Sequence, residues 1–291
     1  MHLHDYQRKA RATRNPRRDG DTPSLTHLLG LVAQTGALAT QYQQRHHDGD
    51  LGWSKVRLRD EIGDLLYRLT ALADELGLDM ADVAVANLTR QCHRWIPTID
   101  SQHFDAAHPE QEQLPPQLTY RFTTHRHHGK APVTVVHCDG HQVGDPLTDS
   151  SPTPDGYRLH DVFHLSYATV LGWSPVTRAL LNRKRRSDPT TDENEDGGRA
   201  IVIEEGIAAS TFAYAATRNY LRTADHVDSP ILAAIATGTG HLEVGACSEA
   251  DWELAILTGF RIWHDLQRYD GNGTVLADLR HRSMTFLPPE T

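Results

Sequence analysis

Between Leu25 and Leu76 the apolar residues recur every third or fourth position, which is the period of a helix face. Leu25, Leu28, Leu29, Val32, Gly36 and Ala39 predict a helix over residues 25–45, with Thr22 or Ser24 as its cap. The polar stretch "HHDGDLGWS" interrupts it. A second stripe of Val56, Ile62, Leu65, Leu66, Leu69, Ala73 and Leu76 predicts a helix opening at Ser54 or Lys55. Gly77 is placed to end it in a left-handed cap. A short polar helix over 5–14 and another over 80–95 complete four helices with short connections. Residues 1–96 therefore read as an all-α unit.

The period then changes. Residues 97–117 are polar and proline-flanked, without periodicity, and read as a linker. "LTYRFTTHR" and "APVTVVHC" alternate as strands do, and "DGHQVGDPL" supplies a turn and a short third strand. Helices are predicted over 157–171, from Pro175 with Ser174 as cap, over 199–222, over 229–237 and over 248–269. "SDPTTDENEDGG" reads as an acidic loop, and "GTVLADLRHRSMTF" as a closing strand. Residues 118–291 are thus expected to form an α+β domain, a helical body beside a small antiparallel sheet. The fold class is mainly α.

Composition narrows the partners. The chain has 291 residues, 38% of them hydrophobic, enough for one large or two ordinary cores. A net charge of -9 argues against nucleic acid as the main partner. It leaves a nucleotide open, because a divalent cation inverts the local field. The three cysteines, Cys92, Cys138 and Cys247, are too few and too scattered for a disulfide framework or zinc ribbon. No secretory h-region and no membrane-length apolar run is seen, so no membrane partner and a cytoplasmic location are expected. Of the 19 histidines, those in clusters such as His125-Arg126-His127-His128 read as solvated.

Two groups of residues carry candidate chemistry. On the third helix Glu61, Asp64 and Arg68 stand at i, i+3 and i+7, on one face, with Asp60 beside them. Asn87, Arg90 and Arg94 share a face of the fourth helix. Acids with Asn and Arg suit a magnesium ion and the phosphates riding on it, while a solvated face with an intrahelical ion pair is the plainer reading. In the second domain "DGYRLHDVFHLSYATVLGWSP" puts His160 and His164 one turn apart with Asp161 between them. That pairing can give two imidazoles to one metal. Asp161 is too short and one position off for the zinc-protease motif. Glu204 and Glu205 interrupt an apolar helix, where acids are costly unless paired or coordinating. Glu243, near His241, is a further candidate. A transition-metal site, a metal-free acid/base cluster of His160, Asp161, His164, Glu204 and Glu205, and a structural His–Glu pair all remain open. Arg183, Lys184, Arg185 and Arg186 read as a solvated helix end, with contact to a phosphate as the less common alternative.

Residues 6–95 resemble the MazG-like nucleotide pyrophosphohydrolases. "EIGDLLYRL" followed by "LGLDMADVAVANLTRQCHRW" matches that family's second acidic motif and its continuation. The resemblance implies an all-α bundle that hydrolyses a nucleotide phosphoanhydride with magnesium. Glu61 and Asp64 would be metal ligands, and Asn87 and Arg94 phosphate contacts. It also implies a homo-oligomer, a dimer or tetramer. "AQTGALATQY" falls where the first acidic motif belongs, but Gln34 and Ala37 stand in place of two glutamates, and Gln41 is also uncharged. With half the carboxylates gone, magnesium binding there is expected to be weak. Gln34, Arg68 and Glu243 are carried as substrate contacts. Residues 118–287 resemble the C-terminal domain that accompanies some MazG-like proteins. Three functions follow: a magnesium-dependent nucleotide hydrolase with an impaired first motif; an enzyme whose His/Glu site in the second domain acts on a nucleotide-derived or specialised metabolite; or a non-catalytic nucleotide-binding, oligomerising protein.

Overall fold

A computed structural model describes residues 1–13, 23–48, 55–98 and 104–290. The chain divides into two compact units, Met1–Cys92 and His93–Thr291. It is mainly α, with α+β character in the second unit, as the pattern predicts.

Four helices build the first unit: α1 (Leu3–Ala12), α2 (Pro23–Asp48), α3 (Lys55–Glu75) and α4 (Met80–Trp95). α2 runs through His46 and His47, past its expected end at Arg45; neither histidine breaks a helix as Gly49 can. Thr22 and Ser54, two of the proposed caps, lie outside the described residues. Gln7 of α1 ties three elements. Its amide donates to Asp74 Oδ1 (2.7 Å) and to the Leu78 carbonyl (2.9 Å), and its oxygen accepts from Met80 N (2.8 Å). Gly77 is left-handed (φ +69°) at the expected cap.

The apolar stripes are less covered than a core requires. Leu29 is 61% and Val32 72% exposed; Leu25, Leu28, Val56, Ile62, Leu69 and Leu76 are also exposed. Leu65 and Leu66 are half-buried, and the sealed positions are Thr70, Ala71 and Ala73. The helical period was a sound guide to the helices but not to which apolar face is covered within one chain.

The second unit is organised by a five-stranded antiparallel sheet in the order β3-β2-β1-β4-β5. Its strands are β1 (Gln117–His125), β2 (Val133–Cys138), β3 (His141–Leu147), β4 (Gly273–Asp278) and β5 (Ser283–Leu287). β1 alternates as expected, sending Leu118, Tyr120 and Phe122 into the core. The expected closing strand is instead a hairpin. Asp278 Oδ1 accepts from His281 N, so the chain turns and β5 returns beside β4. β4 pairs with β1, which brings the end of the unit against its first strand.

The helical body comprises α5 (Asp161–Leu171), α6 (Pro175–Leu180), α7 (Pro189–Asn194), α8 (Gly198–Ala216), α9 (Ser229–Thr239) and α10 (Glu249–Arg268). Every residue of α5 is buried, which explains its unbroken apolar sequence. Ser174 Oγ caps α6, accepting from Thr177 N, with Pro175 in the first turn. The expected acidic loop contains α7, because Asp188 caps Pro189-Thr190-Thr191. Ser248 and Asp251 form a capping box on α10.

A charged network lies inside this unit. Arg185 is fully buried, not solvated as the basic run suggests: its Nη2 reaches Asp196 Oδ1 (2.8 Å) and Glu243 Oε1 (2.7 Å). Arg178, also buried, donates to Asp105 Oδ2 (2.7 Å). Residues from Phe104 on, expected in the linker, thereby contribute Asp105 and Leu114 to the interior.

Candidate metal centre

α5 begins from an anchored turn. Asp149 Oδ1 accepts from Gly156 N and Arg158 N (both 3.0 Å), and Trp263 Nε1 donates to the Gly156 carbonyl (3.0 Å). Gly156 is left-handed (φ +90°), and a Cβ there would collide with Gln267 and Trp263. A 3-10 turn, Tyr157–Leu159, then delivers His160 to the start of α5. His164 follows one turn later on the same face.

Each imidazole is held through Nδ1. His160 Nδ1 lies 3.0 Å from the Tyr157 carbonyl, and its ring stacks on Tyr157 with centroids 4.6 Å apart. His164 Nδ1 lies 2.8 Å from Glu204 Oε1. In the neutral ring, a carbonyl or carboxylate at Nδ1 places the proton there and leaves the lone pair on Nε2, as in metal-bound histidines. His164 Nε2 is buried and makes no well-formed hydrogen bond among the described residues; Glu205 Oε2 is 3.5 Å away. A buried orphan nitrogen is costly unless something binds it.

Glu204 and Glu205, adjacent on α8, have different environments. Glu204 is sealed and accepts from His164, from Ser174 Oγ (2.6 Å) and from Val176 N (2.8 Å). Glu205 is partly open, its side chain 43% exposed. His160, His164 and Glu205 each offer one ligand atom, all within 4.8 Å of one another. Ligands on one ion with bonds of about 2.1 Å stand about 3.4 Å apart, so a small contraction closes this group on a cation. Asp161, its side chain 9% exposed, sits with Oδ1 3.7 Å from His160 Nε2.

The electrostatics follow from burial against charge. Burial alone would lower the His164 pKa; the charge and hydrogen bond of Glu204, aided by Glu205, raise it to about 10. Burial raises the Asp161 carboxyl, opposed by His160 and His164. The nearby His164 lowers the Glu205 carboxyl, against a smaller contribution from burial. The structure thus brings together His160, Asp161, His164, Glu204 and Glu205. It does not bring Glu243, which pairs with Arg185, or His241, which is exposed. The sequence marks Ser174 as a helix cap but does not place Ser174, Val176 or Tyr157 at this site. Ser174-Pro175 signals a helix start, but nothing in it says that Glu204 lies over that start.

The first unit arranges its candidates differently. Arg68 Nε donates to Gln34 Oε1 (2.8 Å), and the guanidinium lies where a Cβ on Gly30 would stand. Glu61 is half-buried and Asp64 exposed on α3, and Asn87 is exposed on α4. The side chain of Gln41 lies outside the described residues. Arg94 belongs to the second unit, where it donates to the Val227 carbonyl (2.8 Å) and Glu253 (3.2 Å) and covers the Trp95 ring at 4.0 Å.

No curated protein and no solved structure matches the chain. The family model of the MazG C-terminal domain matches residues 99–290, which takes in the whole sheet, α5 to α10 and the His/Glu group. The chain belongs to the MazG C-terminal domain family, and is a MazG-related protein.

Proposed function

We propose that the chain is a metal-dependent hydrolase of nucleotide phosphoanhydrides whose chemistry lies in the second unit. The observation that supports this reading is the buried Nε2 of His164, without a well-formed hydrogen bond and grouped with His160 and Glu205 at near-ligand spacing. Two imidazoles and one carboxylate suit zinc or a similar transition metal and leave coordination positions open. Such an ion supplies Lewis acidity toward a phosphoryl oxygen. Tyr157 and Glu204 fix the two rings, so ligand geometry does not have to be found on binding. Glu205, its side chain 43% exposed, is the ligand that an incoming ion would meet from solvent. Asp161 is placed to orient water and accept its proton. The nucleotide class rests on the MazG relationship.

A second reading keeps the chemistry in the first unit, as a MazG-like bundle with weakly held magnesium. Glu61 and Asp64 stand one turn apart on α3, while Arg68 gives its Nε hydrogen bond to Gln34. The exposed stripe of Leu25, Leu28, Leu29 and Val32 suits burial against a second copy, in a dimer or tetramer. We place the protein in the cytoplasm, with no nucleic-acid or membrane partner; no helix among the described residues is long and apolar enough to cross a membrane.

The test is a panel of nucleoside triphosphates assayed with zinc, manganese or magnesium, with phosphate and pyrophosphate release measured. His164→Ala and Glu205→Gln are expected to abolish turnover, and Glu61→Gln with Asp64→Asn to leave it. The opposite pattern moves the reaction to the first unit. No turnover by the metal-loaded protein overturns the hydrolase reading.

A further inference from the structure

A groove lies on the surface of the second unit, along a stripe of α10. Leu254, Leu257, Arg261, His264 and Arg268 recur at three- and four-residue steps and form one wall. The opposite wall is the short segment Leu221–Ala224. The open groove between them has a volume of about 420 Å³, within the range of small-molecule sites.

The wall at Leu221 is held in an unusual backbone. Asn219, Tyr220 and Leu221 have φ of +52°, +51° and +56°, three consecutive left-handed residues, none of them glycine. Such a run persists only when its surroundings over-determine it. Here His264 Nε2 donates to the Tyr220 carbonyl (2.8 Å), the Tyr220 ring stacks on Trp263 (4.8 Å), and the Leu221 side chain is buried. Arg222 follows this run directly and lines the groove with α10.

The charge in this groove is unbalanced. Arg222, Arg261 and Arg268 line it with one acid, Asp265. Asp265 lies 3.7 Å from Arg268, and Arg261 donates to the Met284 carbonyl. Arg222 is exposed and makes no ion pair with any described carboxylate. Burial, with the nearby charges of Arg222 and Arg268, lowers the His264 pKa, so its ring adds no further positive charge at neutral pH. Beside the guanidinium groups lie Leu221, Ala224, Leu254 and Leu257, an apolar floor that arginine-rich solvated faces do not need.

We propose that this groove binds a small organic phosphate, its phosphate on Arg222 and Arg268 and its apolar or planar body against Leu254 and Leu257. Guanidinium forks match phosphate oxygens in pairs, and the leucines add a contact that inorganic phosphate cannot make. The site is separate from His160, His164 and Glu205 and uses no metal.

The experiment is calorimetric titration of the full chain in EDTA with AMP, inorganic phosphate and adenosine. AMP is expected to bind more tightly than either fragment. Arg222→Ala removes a guanidinium that makes no ion pair with any described carboxylate, so it should keep the melting temperature and weaken AMP by about tenfold or more, the usual worth of a charged hydrogen-bond pair. Leu257→Ser should weaken AMP and leave inorganic phosphate unchanged. His164→Ala should leave AMP binding as it was. Equal affinity in wild type and Arg222→Ala, or no AMP binding at millimolar concentration, overturns the proposal. Loss of binding in His164→Ala instead assigns the ligand to the metal centre.

Discussion

Glu204 Oε1 receives His164 Nδ1 at 2.8 Å, with 0% and 1% of the two side chains exposed. Glu204 also accepts from Ser174 and Val176, so one carboxylate joins α5, α6 and α8. Glu204→Ala strips an acceptor from three donors at once. Each unsatisfied buried donor costs about 1–3 kcal/mol, so unfolding in urea should shift by several kcal/mol. Glu204→Gln keeps an oxygen and should fold. It should bind zinc about ten- to a hundredfold more weakly, because the ring it orients loses its charged partner. Competition against a chelating dye reads this directly. Unchanged affinity would remove Glu204 from the metal centre.

Metal binding should release a proton at neutral pH. In the metal-free protein the His164 pKa is raised from 6.5 to about 10, so the ring is protonated at pH 7 and must lose that proton to coordinate. Titration of zinc in buffers of different ionisation enthalpy should show the release, and His164→Ala should reduce it. The same shift fixes the direction of the metal-free stability. A folded-state pKa above the unfolded one stabilises fully below about 6.5, and that contribution is lost as pH rises toward about 10. The melting temperature of EDTA-treated protein should fall across this window, and less so in His164→Ala.

The sequence disclosed the identity of this cluster but not its division of labour. The i, i+4 spacing of His160 and His164 and the acids in an apolar helix are visible without a structure. That Glu204 orients while Glu205 faces outward depends on where α6 packs, and α6 is distant from Glu204 in sequence. The burial of Arg185 is hidden in the sequence for a related reason. A basic run beside an acidic loop looks solvated until Asp196 and Glu243 are found folded over it. The closing hairpin was hidden because "DLRHRS" lacks the glycine of a tight turn, which Asp278 and a left-handed Arg282 supply instead.

Asp251 and Arg282 give a prediction independent of the metal. Asp251 is fully buried and accepts from Ser248, from Thr98 and from Arg282, which in turn donates to the Val170 carbonyl. Asp251→Ala leaves a guanidinium buried without its partner, and loss of about 3–5 kcal/mol is expected in chemical unfolding. Burial would raise the Asp251 pKa, but Ser248 and Arg282 together lower it. A depressed carboxylate stabilises above its unfolded value near 3.8 and loses that contribution as pH falls through the folded value. Acid unfolding of Asp251→Ala should therefore depend less steeply on pH than that of the wild type.

Gln34 and Arg68 set the outcome of restoring one acid to the first unit. Arg68 Nε already donates to Gln34 Oε1, and Gly30 leaves room for the guanidinium against α2. In Gln34→Glu the new carboxylate meets this cation at hydrogen-bond distance before any magnesium arrives. The exchange turns a neutral acceptor into an ion pair worth about 0.2–1 kcal/mol at a partly exposed site. The melting temperature should rise by a few degrees at most and should fall back in high salt. Magnesium affinity, followed by calorimetry, should not rise until Arg68→Ala is added. Magnesium binding by Gln34→Glu alone would show that Glu61 and Asp64 already form a working half-site, and would favour nucleotide chemistry in the first unit over the His160 and His164 centre.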